Sequence, residues 1–217
     1  MRRITALEAQ KRNPNRVNIH LDGEFAFATA RIVAAWLKVG DALDEERITK
    51  LQGDDVRERA YQKAMLFLSY RARSEAEIRQ NLRKHEYPEE AIETTLERLR
   101  RARLADDPQF ARAWVENRST FRPRGRRALT MELRQKGLDD ETVQTAVAGL
   151  DEEALAQEAA RKRLDRLRGL DRNDFRKKLG EFLGRRGFSY EIIALTVKRL
   201  WDETHAGQEE YLEGEDQ

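Results

Sequence analysis

The chain has 217 residues, with 42 Lys and Arg against 40 Asp and Glu, three His and no Cys. Zero cysteine excludes a disulfide framework, a thiolate metal site and a Cys nucleophile. The longest unbroken apolar run, Ile32 to Leu37, falls far short of the ~20 residues of a membrane-spanning helix. The N-terminal stretch also lacks the apolar core of a signal peptide, so a soluble, cytoplasmic protein is expected.

The first fifty residues read as a small sheet. Arg16 to Leu21 alternates, with Val17, Ile19 and Leu21 on one face, and Glu24 to Ala28 follows with Phe25 and Phe27 on one face. Asp22-Gly23 between two such runs is a strong hairpin signal, because both turn positions favour positive φ. Ile4 to Ala9 supplies a weaker third strand. Ile32 to Leu37 and Ile48 to Leu51 read as short helices around a break at Gly40-Asp41.

Beyond Val56 the period becomes helical and the pattern repeats. Leu82-Arg-Lys-His-Glu-Tyr87 with Ile92, Leu96 and Leu99 returns as Leu133-Arg-Gln-Lys-Gly-Leu138 with Val143, Val147 and Leu150. It returns again as Leu183-Gly-Arg-Arg-Gly-Phe188 with Ile193, Val197 and Leu200, and Ile78, Leu129 and Leu179 match upstream. Each unit then holds two helices around a tight turn, where Gly137 and Gly187 fit a left-handed helix end. His85 falls at that turn in the first unit and reads as a helix-end residue. A further helix precedes each pair: Asp55 to Tyr70, Pro108 to Ser119 and Glu153 to Leu167.

Start signals agree with this division. Ser74-Glu-Ala-Glu77 is a capping box, Asp139 and Ser189 cap third helices, and Pro88 stands in as a first-turn residue. Asp107 before Pro108 reads as the cap that opens the second unit. The expected fold is mainly α: three tandem three-helix repeats in an elongated, curved arrangement, preceded by a β-hairpin-containing segment. The divisions fall at residues 1–54, 55–105, 106–150 and 151–205, with a disordered acidic tail over 206–217.

Charge is segregated along the chain. The last ten residues carry five acidic groups and no basic one; without that tail the balance is 42 basic against 35 acidic, a net +7. Between Arg71 and Lys136 stand 17 basic and 11 acidic residues. A basic body suits an anionic partner, with the tail as its electrostatic competitor.

Catalytic chemistry is thin. No phosphate-binding glycine loop is present, and His20, His85 and His205 are too scattered for a zinc site. The serines stand at helix ends, where capping explains them. No catalytic, metal-binding or cofactor-binding residue is assigned. The strongest constellation is Arg118 followed by Arg122-Pro-Arg124-Gly-Arg126-Arg127 at a helix N-terminus, with Arg71 and Arg73 at the comparable place in the first unit. Like charges crowded at a positive helix end favour an incoming anion, and arginine matches carboxylate or phosphate with its planar fork. Pairing with Glu116, Glu132 or Asp106 is the structural alternative for some of them. Phe121 beside them stacks on a partner or is buried.

The string Leu104-Ala-Asp106-Asp107-Pro-Gln-Phe110-Ala-Arg-Ala-Trp114-Val-Glu-Asn-Arg118, then Arg124-Gly125 and Glu132-Leu133-Arg-Gln-Lys-Gly137, resembles the RecX family of RecA regulators. Ala64-Met-Leu-Phe-Leu68 with Arg71-Ala-Arg-Ser74, Leu82 and Tyr87 is similar to that family's first unit. The likeness spans roughly residues 55–205. Its departures are His85-Glu86 in place of Lys-Gly and the acidic tail. The resemblance implies a non-enzymatic, cofactor-free modulator that binds the RecA filament on single-stranded DNA. It also implies restraint of ATP hydrolysis, strand exchange and repressor cleavage. Arg71, Arg73, Arg118, Arg122, Arg124, Arg126 and Arg127 would then face filament or DNA, with Asp106 orienting the unit junction, in a protein expected to be monomeric and off the membrane. The alternative is a basic helical protein acting on DNA or RNA directly.

Overall fold

The computed structural model describes the backbone of residues 1–212 and side chains as far as His205. Of the acidic tail, residues 213–217 lie outside the described residues; the backbone before them continues the last helix to Leu212. The chain divides into two compact units at Ala105/Asp106.

The first unit opens with four antiparallel strands, β1 (Arg2–Ala9), β2 (Arg16–Leu21), β3 (Glu24–Ala30) and β4 (Ala42–Leu43), in the order β3-β2-β1-β4. Asp22 and Gly23 take φ of 52° and 91°, the left-handed pair that a tight hairpin needs. The two phenylalanines do not share a face, however. A bulge sets Ile19 opposite Phe27 but His20 opposite Phe25. The extra residue, Ala26, flips the strand's facing. Phe27 is therefore 8% exposed in the sheet's core and Phe25 is 59% exposed, edge-on to His20. Ile4, Ile19, Leu21 and Phe27 form that core with Leu43, Ile48 and Leu51.

Two further expectations change here. Ile32 to Leu37 forms hydrogen-bonded turns rather than a helix, which leaves Trp36 87% exposed. Ile48 to Leu51 is not a separate helix but the beginning of α1, which runs unbroken over Glu45–Tyr70. Asp44 caps it through Arg47 N–H; Gly53 weakens the interior by only about 1 kcal/mol and does not stop it. Packing on both sides holds the helix through residues 54 and 55: Ile48 and Leu51 lie against the sheet, Ala60 and Ala64 in the first repeat. Between them Asp55, almost fully buried, accepts both forks of Arg16 at 3.2 Å and the Ala30 N–H at 2.7 Å. That carboxylate ties β2 and β3 to α1.

α1 leads into α2 (Glu75–Lys84) and α3 (Glu89–Arg101), with the Ser74–Glu77 capping box in place. Pro88 is the N-cap residue of α3 rather than a first-turn residue. The second unit holds α4 (Asp107–Phe121), α5 (Arg126–Gln135) and α6 (Asp140–Val147), then α7 (Glu152–Arg161), α8 (Arg172–Arg185) and α9 (Tyr190–Leu212). A 3-10 turn over Leu164–Leu167 occupies the end of the helix expected to reach Leu167. The recurring apolar residues become three separate cores, centred on Ile78/Leu82/Leu96, Leu129/Leu133/Val143 and Leu179/Leu183/Val197.

Each second helix ends in the same double hydrogen bond. Tyr87, Leu138 and Phe188 donate N–H to the carbonyls of Leu82, Leu133 and Leu183, while Glu86, Gly137 and Gly187 donate to Arg83, Arg134 and Gly184. These are Schellman turns with an apolar pair across each. The left-handed residue of the first repeat is Glu86, with φ 59°, and not His85, which is the C-cap at φ −98°. A non-glycine residue in that conformation costs about 1 kcal/mol. Glu86→Gly is therefore expected to raise the urea midpoint and Gly137→Ala to lower it; a lower midpoint for E86G would contradict this assignment.

Candidate functional site

Of the eight candidate residues, Arg71 and Arg73 belong to the first unit, where each has a local role. Arg71 bonds Glu77 at 2.8 and 3.3 Å and the Ala72 carbonyl. Arg73 lies 3.9 Å from the Phe67 ring centre; burial, then repulsion from Arg71, holds its guanidinium below the ordinary value. Asp106 opens the second unit as the N-cap of α4, accepting the Gln109 N–H at 2.7 Å. Asp107, expected as the cap, is instead the first helical residue, because it is the residue three before Gln109 that reaches an orphan donor.

The remaining five surround the α4–α5 loop. Its course is set by backbone contact: Gly125 donates its N–H to Arg186 O at 2.9 Å. A Cβ on Gly125 would meet Gly187 C at 2.5 Å and Phe188 N at 2.6 Å, and one on Gly187 would meet Ala128 at 2.5 Å. Only two glycines let the second repeat's loop and the third repeat's turn approach so closely.

Glu132 on α5 then gathers a tryptophan and two arginines from its own repeat. One carboxylate oxygen, Oε2, accepts from Trp114 Nε1 at 2.8 Å and Arg118 Nε at 2.9 Å, and the other, Oε1, forms an ion pair with Arg124 Nη1 at 2.6 Å. Arg118 also lies 4.4 Å from the Trp114 ring centre. Arg126 is a staple between repeats. Its backbone N–H and Nε reach Glu152 at 2.9 and 3.3 Å, and Nη1 reaches the Val147 carbonyl at 2.5 Å. Arg122 and Arg127 are exposed, and neither guanidinium meets a carboxylate among the described residues. Phe121 beside them is 70% exposed rather than buried.

Two arginines that sequence reasoning passed over belong to this site. Arg186 donates Nη1 to the Pro123 carbonyl at 2.9 Å. Burial foremost, then the positive charges of Arg124, Arg122 and Arg163, holds it below the ordinary guanidinium value. Arg163 and Arg186 lie 5.4 and 4.6 Å from the Phe182 ring centre. The signal was present in the repeat, since Arg186 stands where Lys136 does, one residue before the turn glycine.

Among the described residues, no group of three or more His, Cys, Asp or Glu could hold a metal ion, and no helix is long and apolar enough to cross a membrane. Architecture and surface together define a tandem helical-repeat protein with a basic inter-repeat junction. Family models for RecX match in series: its N-terminal domain over residues 2–44 and its three three-helix domains over 60–99, 106–147 and 151–195. The chain belongs to the RecX family of regulatory proteins. It is 35% identical to the regulatory protein RecX of Bacillus velezensis, covering 90% of this chain and 76% of that one. The Bacillus pumilus regulatory protein RecX is 34% identical over 98% and 81%. A crystal structure of regulatory protein RecX matches with a TM-score of 0.74 at 30% identity, over 90% of this chain and 98% of the other.

The Gly125 contact leads to a stability prediction. Gly125→Ala forces the two repeats apart and is expected to cost about 1–3 kcal/mol, read by denaturant unfolding. A wild-type midpoint would show that the close approach is not required.

Proposed function

We propose that this protein binds the RecA filament on single-stranded DNA and restrains its ATPase, strand exchange and co-protease action, without catalysing a reaction itself. The observation that carries this reading is membership of a regulatory family over nine-tenths of the chain, joined to cations left over after folding. Glu132 pairs with Arg118 and Arg124, and Glu152 with Arg126. These three therefore shape the surface, while Arg122 and Arg127 present free forks to a partner. A filament repeats its own surface, so weak contacts from several repeats of one chain add through effective concentration. The protein acts as a monomer in the cytoplasm on this reading.

A second reading has support from the same arginines: direct binding of DNA or RNA. Its signature is affinity for bare nucleic acid that falls steeply with salt, since each phosphate contact releases counterions.

The double variant Arg122→Glu/Arg127→Glu separates surface from scaffold. It is expected to weaken binding to RecA filaments by about tenfold or more with an unchanged melting temperature. Arg126→Glu, by contrast, is expected to lower the melting temperature. Wild-type filament binding by the R122E/R127E protein would overturn the assignment of these two residues.

A further inference from the structure

The second and third repeats differ at one electrostatic position, and the difference leaves charge uncompensated. Both first helices start from an aspartate cap: Asp106 accepts Gln109 N–H and Asp151 accepts Ala154 N–H. Counting twelve residues on from each cap gives Arg118 and Arg163. Both second helices end at a left-handed glycine, Gly137 and Gly187. Counting five residues back gives Glu132 and Phe182, and one residue back gives Lys136 and Arg186. In the second repeat the aromatic ring is on the first helix, at Trp114, and the carboxylate is on the second. The third repeat has Ala159 in place of Trp114 and Phe182 in place of Glu132. Its two cations still lie over a ring, as Arg118 and Lys136 lie over Trp114, but without the carboxylate that pairs with Arg118.

Arg163 and Arg186 sit on the same ring, so their guanidinium carbons lie within about 10 Å of each other. The Gly125–Gly187 contact and the Arg186–Pro123 bond bring the Arg122–Arg124 segment to the same place. Arg124 is neutralised by Glu132. Arg122, Arg163 and Arg186 pair with no carboxylate among the described residues. The helix dipole and the ring help to place Arg163 and Arg186, but neither supplies a full counter-charge. Arg186 senses the positive charges of both Arg122 and Arg163, and guanidiniums grouped in this way suit a tetrahedral oxyanion, which accepts hydrogen bonds from several forks at once.

We propose that Arg163 and Arg186 over Phe182, with Arg122 on the adjoining loop, form a binding site for a phosphate group. The phosphate is either a free polyphosphate or a phosphodiester of single-stranded nucleic acid, and the site requires no RecA. It stands on this chain's own geometry, so it can fail or hold independently of the filament reading.

The test uses the full chain without RecA and two probes at matched ionic strength, inorganic pyrophosphate and an oligo-dT strand. Pyrophosphate at millimolar concentration is expected to raise the melting temperature by about 2–4 °C over chloride. Arg163→Ala should remove most of that rise. Phe182→Glu places a carboxylate at the position equivalent to Glu132 and should abolish it, each rise being read against that variant's own melting temperature in chloride. If the site takes a phosphodiester, the same variants also weaken oligo-dT binding, by about tenfold; if it takes free polyphosphate, oligo-dT binding stays as in wild type. Pyrophosphate responses in R163A and F182E equal to wild type, or no wild-type response beyond chloride, would overturn the proposal.

Discussion

Everything in the helical part depends on how each second helix stops. In all three repeats a residue with positive φ closes a Schellman turn, and the residue after it packs back on the helix: Tyr87 on Leu82, Leu138 on Leu133, Phe188 on Leu183. The turn satisfies carbonyls that would otherwise be orphaned and starts the third helix in a fixed direction. That direction brings Val143 and Val147, or Val197 and Leu200, over the core. In the third repeat the same turn acts twice. Its glycine also lies under Ala128 and against Gly125, so a local helix stop becomes the joint between two repeats.

Electrostatics then divides the arginines by a simple rule. Where a neighbouring helix face carries a carboxylate, the guanidinium is part of the scaffold. Arg16 with Asp55, Arg118 and Arg124 with Glu132, and Arg126 with Glu152 are of this kind. Glu89 and Glu93 belong with them: their carboxyls are held below the ordinary range by hydrogen bonds from Arg83 and Arg79 respectively. Where no carboxylate is in reach, whether the guanidinium lies over a ring or faces water, the charge stays available. Arg122 and Arg127 are free on the exposed side, and Arg163 and Arg186 lie over Phe182. The same residue type thus builds the fold and equips its surface.

Much of the fold was legible because period and capping depend on near neighbours. The apolar register, the capping box at Ser74 and the left-handed glycines all follow from residues a few positions apart. Misreadings arose where distant partners decide. Phe25 left the core because β2 forces a bulge on β3, and Ile48–Leu51 joined a long helix because sheet and repeat both pack on it. At the candidate site, the arginine cluster was visible as a run, but its division was not. Nothing in Arg122-Pro-Arg124-Gly-Arg126-Arg127 says which side chain Glu132 or Glu152 will take. Arg163 and Arg186 stand 41 and 64 residues beyond Arg122, and the backbone contact at Gly125 with the Arg186–Pro123 bond brings them to it.

On the proposed function, regulation is exerted on the filament rather than on its template. The most direct measurement is the single-stranded-DNA-dependent ATPase of a RecA titrated with this protein, with coverage of bare DNA followed in parallel at the same salt. ATP hydrolysis is expected to fall at protein concentrations too low to coat the DNA. An ATPase that falls only as the DNA becomes covered would contradict this and would make competition for template the mechanism.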